Sequence, residues 1–217
     1  MSILLLYFKV PTFQTGDTSY CFATCNSGIS NAAPGGSSDG SITLGGFACN
    51  EAEGGLYSAT KVGSSAYITL PKNIETEGAK TGAILLKHSS DFADGSSVPR
   101  EFIQTDSFVL NSEPYPAARA EVKNSGGRCF GGPYNNVFSK TEFVLVVITA
   151  DGTTVSMYKN GVKLGDTACT RVPQTNSNIL RLGSNSFGGT IKSFAIWNRA
   201  LSAVEVASID STKLTCS

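Results

Sequence analysis

Residues 143–164, FVLVVITADGTTVSMYKNGVKL, decide how this chain folds. Phe143–Thr149 is an unbroken apolar and β-branched run that stops at the turn pair Asp151-Gly152, and it reads as a core strand. Val155–Lys159 then alternates apolar with polar, as a strand does when its two sides meet different surroundings. Asn160-Gly161 follows, the pair best able to adopt the positive φ of a type I′ turn, so Val162–Leu164 returns as an antiparallel partner.

Working outward, Ile179–Gly183 and Thr190–Trp197 are two further strands. After them Ser202 and Glu205 stand three apart at the head of SAVEVASI, a capping box that predicts a short helix to about Ile209, with Val204 and Ser208 on one stripe. Upstream, strand candidates recur at Ser41–Phe47, Gly55–Thr60, Ala66–Leu70, Gly82–His88, Glu101–Ile103, Ser107–Leu110 and Arg119–Lys123, the spacing of a β-sandwich. Composition agrees. Only 16% of the 217 residues are charged and 23 are glycine, the profile of short strands joined by turns. No solenoid or propeller repeat is visible.

Seventeen Lys plus Arg balance seventeen Asp plus Glu, so no global field favours nucleic acid or an anionic membrane, and no apolar run is long enough for a spanning helix. Six cysteines, at positions 21, 25, 49, 129, 169 and 216, include no C-x-x-C pair, and the single histidine, His88, is poor support for zinc. They read as disulfides, which places the chain outside a cell or on a cell or virion surface. Their pairing stays open: Cys129 and Cys169 each adjoin strand-like runs, and Cys216 looks like a staple for the C-terminus.

The N-terminal ILLLYFKV (residues 3–10) ends at Pro11 and reads as a strand with two apolar faces, Leu4, Leu6, Phe8 and Val10 forming one of them. It lacks the basic start and the cleavage site of a signal peptide. Such a strand must be covered, by its own domain or by a neighbouring subunit. The domain division expected is therefore residues 1–12 as an N-terminal apolar strand and residues 13–217 as one sandwich.

VSMYKNGVKLG (155–165) followed by NILRLGSNSFGGTIKSFAIWNRALSAVEVASI (178–209) resembles the laminin-G-like branch of the concanavalin A-like lectin and glucanase superfamily. Ser65–Pro71 (SAYITLP) is similar to an early strand of that family. The resemblance spans about residues 55–210. It departs at Thr141-Glu142-Phe143, where the family commonly carries a tryptophan. It implies an all-β antiparallel jelly-roll sandwich with a short C-terminal helix, a fold that hosts lectins, adhesion modules, glycosidases and coat proteins alike, so function must come from the site.

A retaining glycosidase needs two carboxylates about 5.5 Å apart, and relatives set them on one strand as E-x-D-x-E. That string is absent. Glu51/Glu53 and Glu75/Glu77 lie in turn-like, glycine-flanked surroundings and read as solvated surface, while His88, after Leu85-Leu86-Lys87, reads as a strand-end residue. No catalytic residue is assigned. Relatives often bind calcium, and Asp91, Asp94 and the Gly95 turn, with Asn185, are the candidate ligands. About three side-chain oxygens fall short of the six to eight calcium takes, and the same loop reads better as an ordinary polar loop with Asx turns; no cofactor is required.

Glycan binding would use loop aromatics beside amides, and Tyr115, Tyr134, Asn135 and Asn136 supply them. Trp197, after Phe194-Ala195-Ile196, reads as core. No N-glycosylation sequon occurs, while abundant Ser and Thr leave O-linked sugar open. Two functions follow: a non-catalytic extracellular module whose partner is a glycan or an extracellular protein, or a structural subunit that builds a homopolymeric fibre or coat by donating residues 4–10 to a neighbour's sheet.

Overall fold

A computed structural model of the protein describes residues 11, 13, 17–22, 25, 42–58, 67–70, 78–88, 100–105, 108–112, 116–124, 126–172, 180–183, 187–209 and 214. Leu4, Leu6, Phe8, Val10, Asp91, Asp94, Tyr115, Asn185 and Cys216 lie outside these residues, as do Glu75 and Glu77.

Two antiparallel sheets stack face to face, as the sequence leads one to expect. The first is built from β1 (Thr18–Cys21), β3 (Ala48–Asn50), β4 (Gly55–Ser58), β6 (Lys80–His88), β11 (Val144–Ala150), β12 (Thr154–Lys159), β13 (Val162–Ala168) and β15 (Gly189–Trp197). Its order is β13-β12-β11-β6-β15-β4-β3. The free edge of β15 is shared: Ile191 and its neighbours pair with β4, while Ser193–Ile196 pair with β1. The second sheet contains β2 (Thr43–Gly45), β5 (Tyr67–Leu70), β7 (Arg100–Gln104), β8 (Phe108–Ser112), β9 (Ala118–Asn124), β10 (Gly127–Tyr134) and β14 (Leu180–Leu182), in the order β10-β9-β8-β7-β14-β5-β2.

The unbroken hydrophobicity of β11 has a direct cause: it is dry on both sides. Val144, Val146, Ile148 and Ala150 point between the sheets. Leu145 and Val147 point outward into a second apolar cluster with Ala83, Leu85, Ala195, Trp197, Leu201, Val206, Ile209 and Leu214. Along β15, Ile191 and Phe194 both belong to the inter-sheet core although they are three residues apart. A bulge between Ile191 and Ser193 absorbs the extra residue and resets the alternation. Trp197 is thus core, but core of the outer cluster, where Phe13 stacks on it with centroids 4.9 Å apart and planes 7° off parallel.

That outer cluster is roofed by helix α1 (Ala203–Ser208). Ser202 Oγ accepts from the Glu205 N–H, and the Glu205 carboxylate accepts from the Ser202 N–H at 2.9 Å, the reciprocal box expected. Of the helix residues Val206 is the buried one, whereas Val204 is exposed, so the apolar stripe runs through Val206 and Ile209 rather than through Val204 and Ser208. Thr81 ties the approach to α1 onto β6, its Oγ1 donating to the Arg199 carbonyl and accepting from the Leu201 N–H.

The type I′ turn stands where the sequence puts it, with Asn160 at φ 49° and Gly161 at φ 79°. The strand expected over Ser41–Phe47 is shorter, β2 at Thr43–Gly45: Gly46, at φ 82°, ends it, and the chain passes on to β3 in the other sheet. Gly127–Tyr134 corrects the loop assignment of Tyr134, for this glycine-rich stretch is strand β10, paired with β9.

On one side of the sandwich the edge strands β10 and β13 come together. Gly165 of β13 permits it, since a Cβ there would stand 2.5 Å from Tyr134 Cε1 of β10, and Gly131 of β10 lies as closely on β12, where a Cβ would stand 2.8 Å from Val155 Cγ1. The Cys129–Cys169 disulfide bridges this edge, joining β10 to the residue after β13, and Cys25–Cys49 pins the segment before β2 to β3. Cys21 is also disulfide-bonded.

Two outcomes follow from this architecture. Cys129 and Cys169 enclose 40 residues, so the double variant C129A/C169A loses about 4 kcal/mol by loop-closure entropy, read as the urea midpoint of the oxidised proteins. The Arg199 guanidinium, hydrogen-bonded to Glu205, outweighs the burial that opposes its charge and, with the Ser202 hydrogen bonds, holds that carboxyl at about 2 against an ordinary 4.5. A depressed folded-state pKa stabilises fully above the unfolded value and is lost as pH falls through the folded one. The melting temperature of the wild type therefore carries an extra decline between about pH 4.5 and pH 2 that E205Q lacks, and E205Q melts lower near neutrality.

Candidate functional site

The hairpin β9–β10 forms the margin of the second sheet, and its geometry begins with Cys129. Because Cys129 is tied inward to Cys169, strand alternation turns its neighbours Arg128 and Phe130 outward. Ala120 and Val122 on β9 are buried against the core, so Arg119, Glu121 and Lys123 share that outward face. Register sets Arg128 opposite Lys123 and Phe130 opposite Glu121.

The side chains meet accordingly. Glu121 lies beneath the surface, its side chain only 7% exposed, with Oε1 3.3 Å from Arg128 Nη1 and 3.6 Å from Lys123 Nζ. Arg128 above it is 63% exposed. The Arg119 guanidinium stands 4.6 Å from the Phe130 ring centroid, a cation–π contact that fixes the ring while leaving Phe130 39% exposed. Farther in, Val109 and Asn111, opposite Glu121 and Arg119, are buried. The face is closed over β8 and opens over β10. At the hairpin turn Asn124 Oδ1 accepts from the Gly126 N–H and from Arg171 Nη1, both at 2.9 Å.

Of the residues expected from sequence, the structure brings Tyr134, Asn135 and Asn136 to the far end of β10. Tyr134 is half-buried, its ring laid over Gly165 of β13, where a Cβ would stand 2.5 Å from Cε1. Asn135 and Asn136 are exposed, Asn136 at φ 55°, its carbonyl accepting from Lys159 Nζ at 2.5 Å. The backbone behind them is fixed by Val137 and Phe138, whose N–H groups both donate to the Pro116 carbonyl. Beside Tyr134, Lys163 pairs with Asp166, and that hydrogen bond raises the lysine pKa. Tyr115, the fourth glycan candidate, and the calcium candidates Asp91, Asp94 and Asn185 fall outside the described residues.

Phe130 and its cations were not anticipated. The signal was present in RCFGGPY: once a disulfide fixes Cys129 inward, alternation alone exposes Arg128 and Phe130.

Of the groups weighed for catalysis, His88, Glu51 and Glu53 are among the described residues. His88 ends β6 as expected, fully buried, with the rings of Phe102 and Phe187 edge-on at 6.2 Å. Glu51 is exposed, whereas Glu53 corrects the solvated-surface reading: it pairs with Lys87 and accepts from Thr190. Burial works against its charge, but these two hydrogen bonds outweigh it and hold the carboxyl below the usual range. Phe143, standing where relatives commonly carry a tryptophan, packs under Lys192 and Lys87 at 4.0 and 5.2 Å.

The family model for the concanavalin A-like lectin/glucanases superfamily, of laminin G type, matches residues 62–207. No curated protein matches by sequence. Among solved structures the chain is similar to a botulinum neurotoxin type C structure, titled for a cell entry that depends on interaction with two ganglioside molecules (TM-score 0.65, 12% identity, 88% of this chain and 50% of that one). It is similar to the binding domain of botulinum neurotoxin DC in complex with rat synaptotagmin II (TM-score 0.66, 12% identity, the same 88% and 50%). It is similar also to domain 4 of AbnA, a GH43 extracellular arabinanase from Geobacillus stearothermophilus, in complex with arabinotriose (TM-score 0.60, 16% identity, 88% and 95%). This chain therefore spans about half the length of the toxin chains and nearly all of the arabinanase domain, and at these identities the likeness is one of fold.

Substituting Gly165 tests how Tyr134 is held. G165A drives a methyl into the ring, so the near-ultraviolet circular dichroism of the tyrosines changes and stability falls by about 1–3 kcal/mol in urea unfolding.

Proposed function

We propose that this chain, which belongs to the concanavalin A-like lectin/glucanases superfamily, is a non-catalytic extracellular recognition module that binds glycan along the margin formed by β10. One observation carries the reading. Among the described residues, Phe130 is the aromatic of the exposed large hydrophobic side chains, and it is held as an open platform by Arg119 rather than packed away. An exposed ring offers a sugar its apolar face, and the surrounding guanidinium, ammonium and amide groups supply hydrogen-bond donors for its hydroxyls. Asn135 and Asn136 extend the same margin toward the edge where the sheets meet.

The non-catalytic part of the proposal is supported by the state of the carboxylates. A glycosidase acid must be kept protonated beside a second, free carboxylate. Glu121, on the proposed face, is held by two cations, and Glu53 by Lys87 and Thr190. The disulfides support an extracellular setting, and among the described residues no helix is long and apolar enough to cross a membrane. The neurotoxin and arabinanase structures, whose titles name gangliosides, synaptotagmin and arabinotriose, make glycan the first class of ligand to try and an extracellular protein the second.

The test is a glycan array probed with and without calcium. The wild type binds a defined set of sugars; F130A loses about tenfold or more in affinity, the loss expected of an aromatic anchor, while its melting temperature holds. N135A and N136A weaken binding less. An array blank under both conditions rules the proposal out.

A further inference from the structure

We infer that the Arg128 end of this margin is a subsite for an anionic substituent, so that the glycan bound is an acidic one, carrying carboxylate or sulfate. The inference rests on the glycan reading above and adds the chemical class of the ligand. Over the whole sequence the charges cancel, seventeen against seventeen. On the outward face of β9–β10 they do not. Among the described side chains there, Lys123 and Arg128 both pair with one carboxylate, Glu121, and Arg119 stands over the neighbouring Phe130 ring. At the adjoining turn Arg171 hydrogen-bonds the Asn124 amide rather than a carboxylate.

The depth of these groups matters as much as their number. Glu121 is beneath the surface, while Lys123 and Arg128 above it are 33% and 63% exposed. The carboxylate therefore orients the two cations from below and cannot itself meet a ligand from outside. Arg128 Nη1 stands 3.3 Å from Glu121 Oε1 while the side chain is 63% exposed, and a guanidinium has five N–H donors in a planar fork suited to carboxylate or sulfate oxygens. Arg128 and Phe130 are alternate residues on one strand, about 7 Å apart on the same face. A sugar ring on Phe130 would thus carry its acidic substituent to Arg128 and Lys123.

Binding is measured by titration at several salt concentrations with three size-matched probes: neutral dextran, dextran sulfate and polygalacturonate. The expected result is that at least one polyanion binds tenfold or more tightly than dextran. In K123Q/R128Q, and in E121Q/K123Q/R128Q, which does not leave the Glu121 carboxylate buried without its cations, that preference collapses and the slope of log affinity against log salt falls by about one to two. Which polyanion wins tells sulfate from carboxylate. Tighter binding of dextran than of both polyanions, or a K123Q/R128Q variant with unchanged affinity and slope, overturns the subsite while leaving glycan recognition standing. A single-stranded oligonucleotide bound more tightly than either polyanion also overturns it. Failure of every carbohydrate, on the array and here, removes both readings together.

Discussion

A sheet buried on both faces is the constraint on which the molecule rests. β6, β11 and β15 each send one set of side chains between the sheets and the other outward, and both sets are apolar. Each large side chain so buried contributes about 1.5–3 kcal/mol relative to exposure. That gain is available only if something roofs the outer face, and the roof is made of Trp197 and Phe13 stacked together and of Val206 and Ile209 from the end of the chain. This is why α1 needs so thorough a cap: six residues cannot hold a helix by themselves. The capping box and the Thr81 hydrogen bonds set the helix where its two apolar residues close the cluster.

With the first sheet committed on both sides, the freedom to present chemistry passes to the second. Its inner face meets the same core, but its outer face carries charge along β9 and β10. What places those charges is the closure of the sandwich at the β10–β13 edge. Gly131 and Gly165 let the strands approach, and Cys129–Cys169 joins them. Covalent closure at Cys129 gives β10 a defined inside and outside, and from that follow the outward Arg128 and Phe130. Structure and candidate site are thus linked by the phase of one strand.

The elements legible in the sequence are those whose local chemistry and tertiary role agree. The Asn160-Gly161 turn, the strand at 143–149 and the Ser202–Glu205 box each carry a backbone requirement that only a few residue types meet. β10 was missed because its Gly-Gly-Pro run mimics a loop. Gly131 answers instead to the closeness of Val155 on β12, and Gly132, at φ 103°, to that of the Ala118 carbonyl on β9, tertiary facts no local pattern records. For the same reason Tyr134 looked like a free loop aromatic, whereas its ring is laid over Gly165, and Phe130, which is open, passed unnoticed. Val204 misled in the helix because it stands a turn from Ser208 and so offers a helical stripe, whereas the buried one runs through Val206 and Ile209.

Glu121 separates a structural from a functional account of this face. Burying a carboxylate under two cations is a poor way to stabilise a sheet, since the cost of desolvation consumes most of the attraction and an apolar replacement is often as good. The cations it holds are long, flexible side chains that at an open edge would sample many rotamers. Pairing with a fixed carboxylate below removes that freedom before any ligand arrives, just as Arg119 removes it from the Phe130 ring. The entropy of ordering these groups is then met on folding rather than on binding, which is the advantage of a preorganised surface. A stability role asks nothing of the outer ends of Arg128 and Phe130. Their exposure, on a scaffold whose core rings Phe22, Phe102, Phe187, Phe194 and Trp197 are buried to nearly nothing, is what a recognition surface requires.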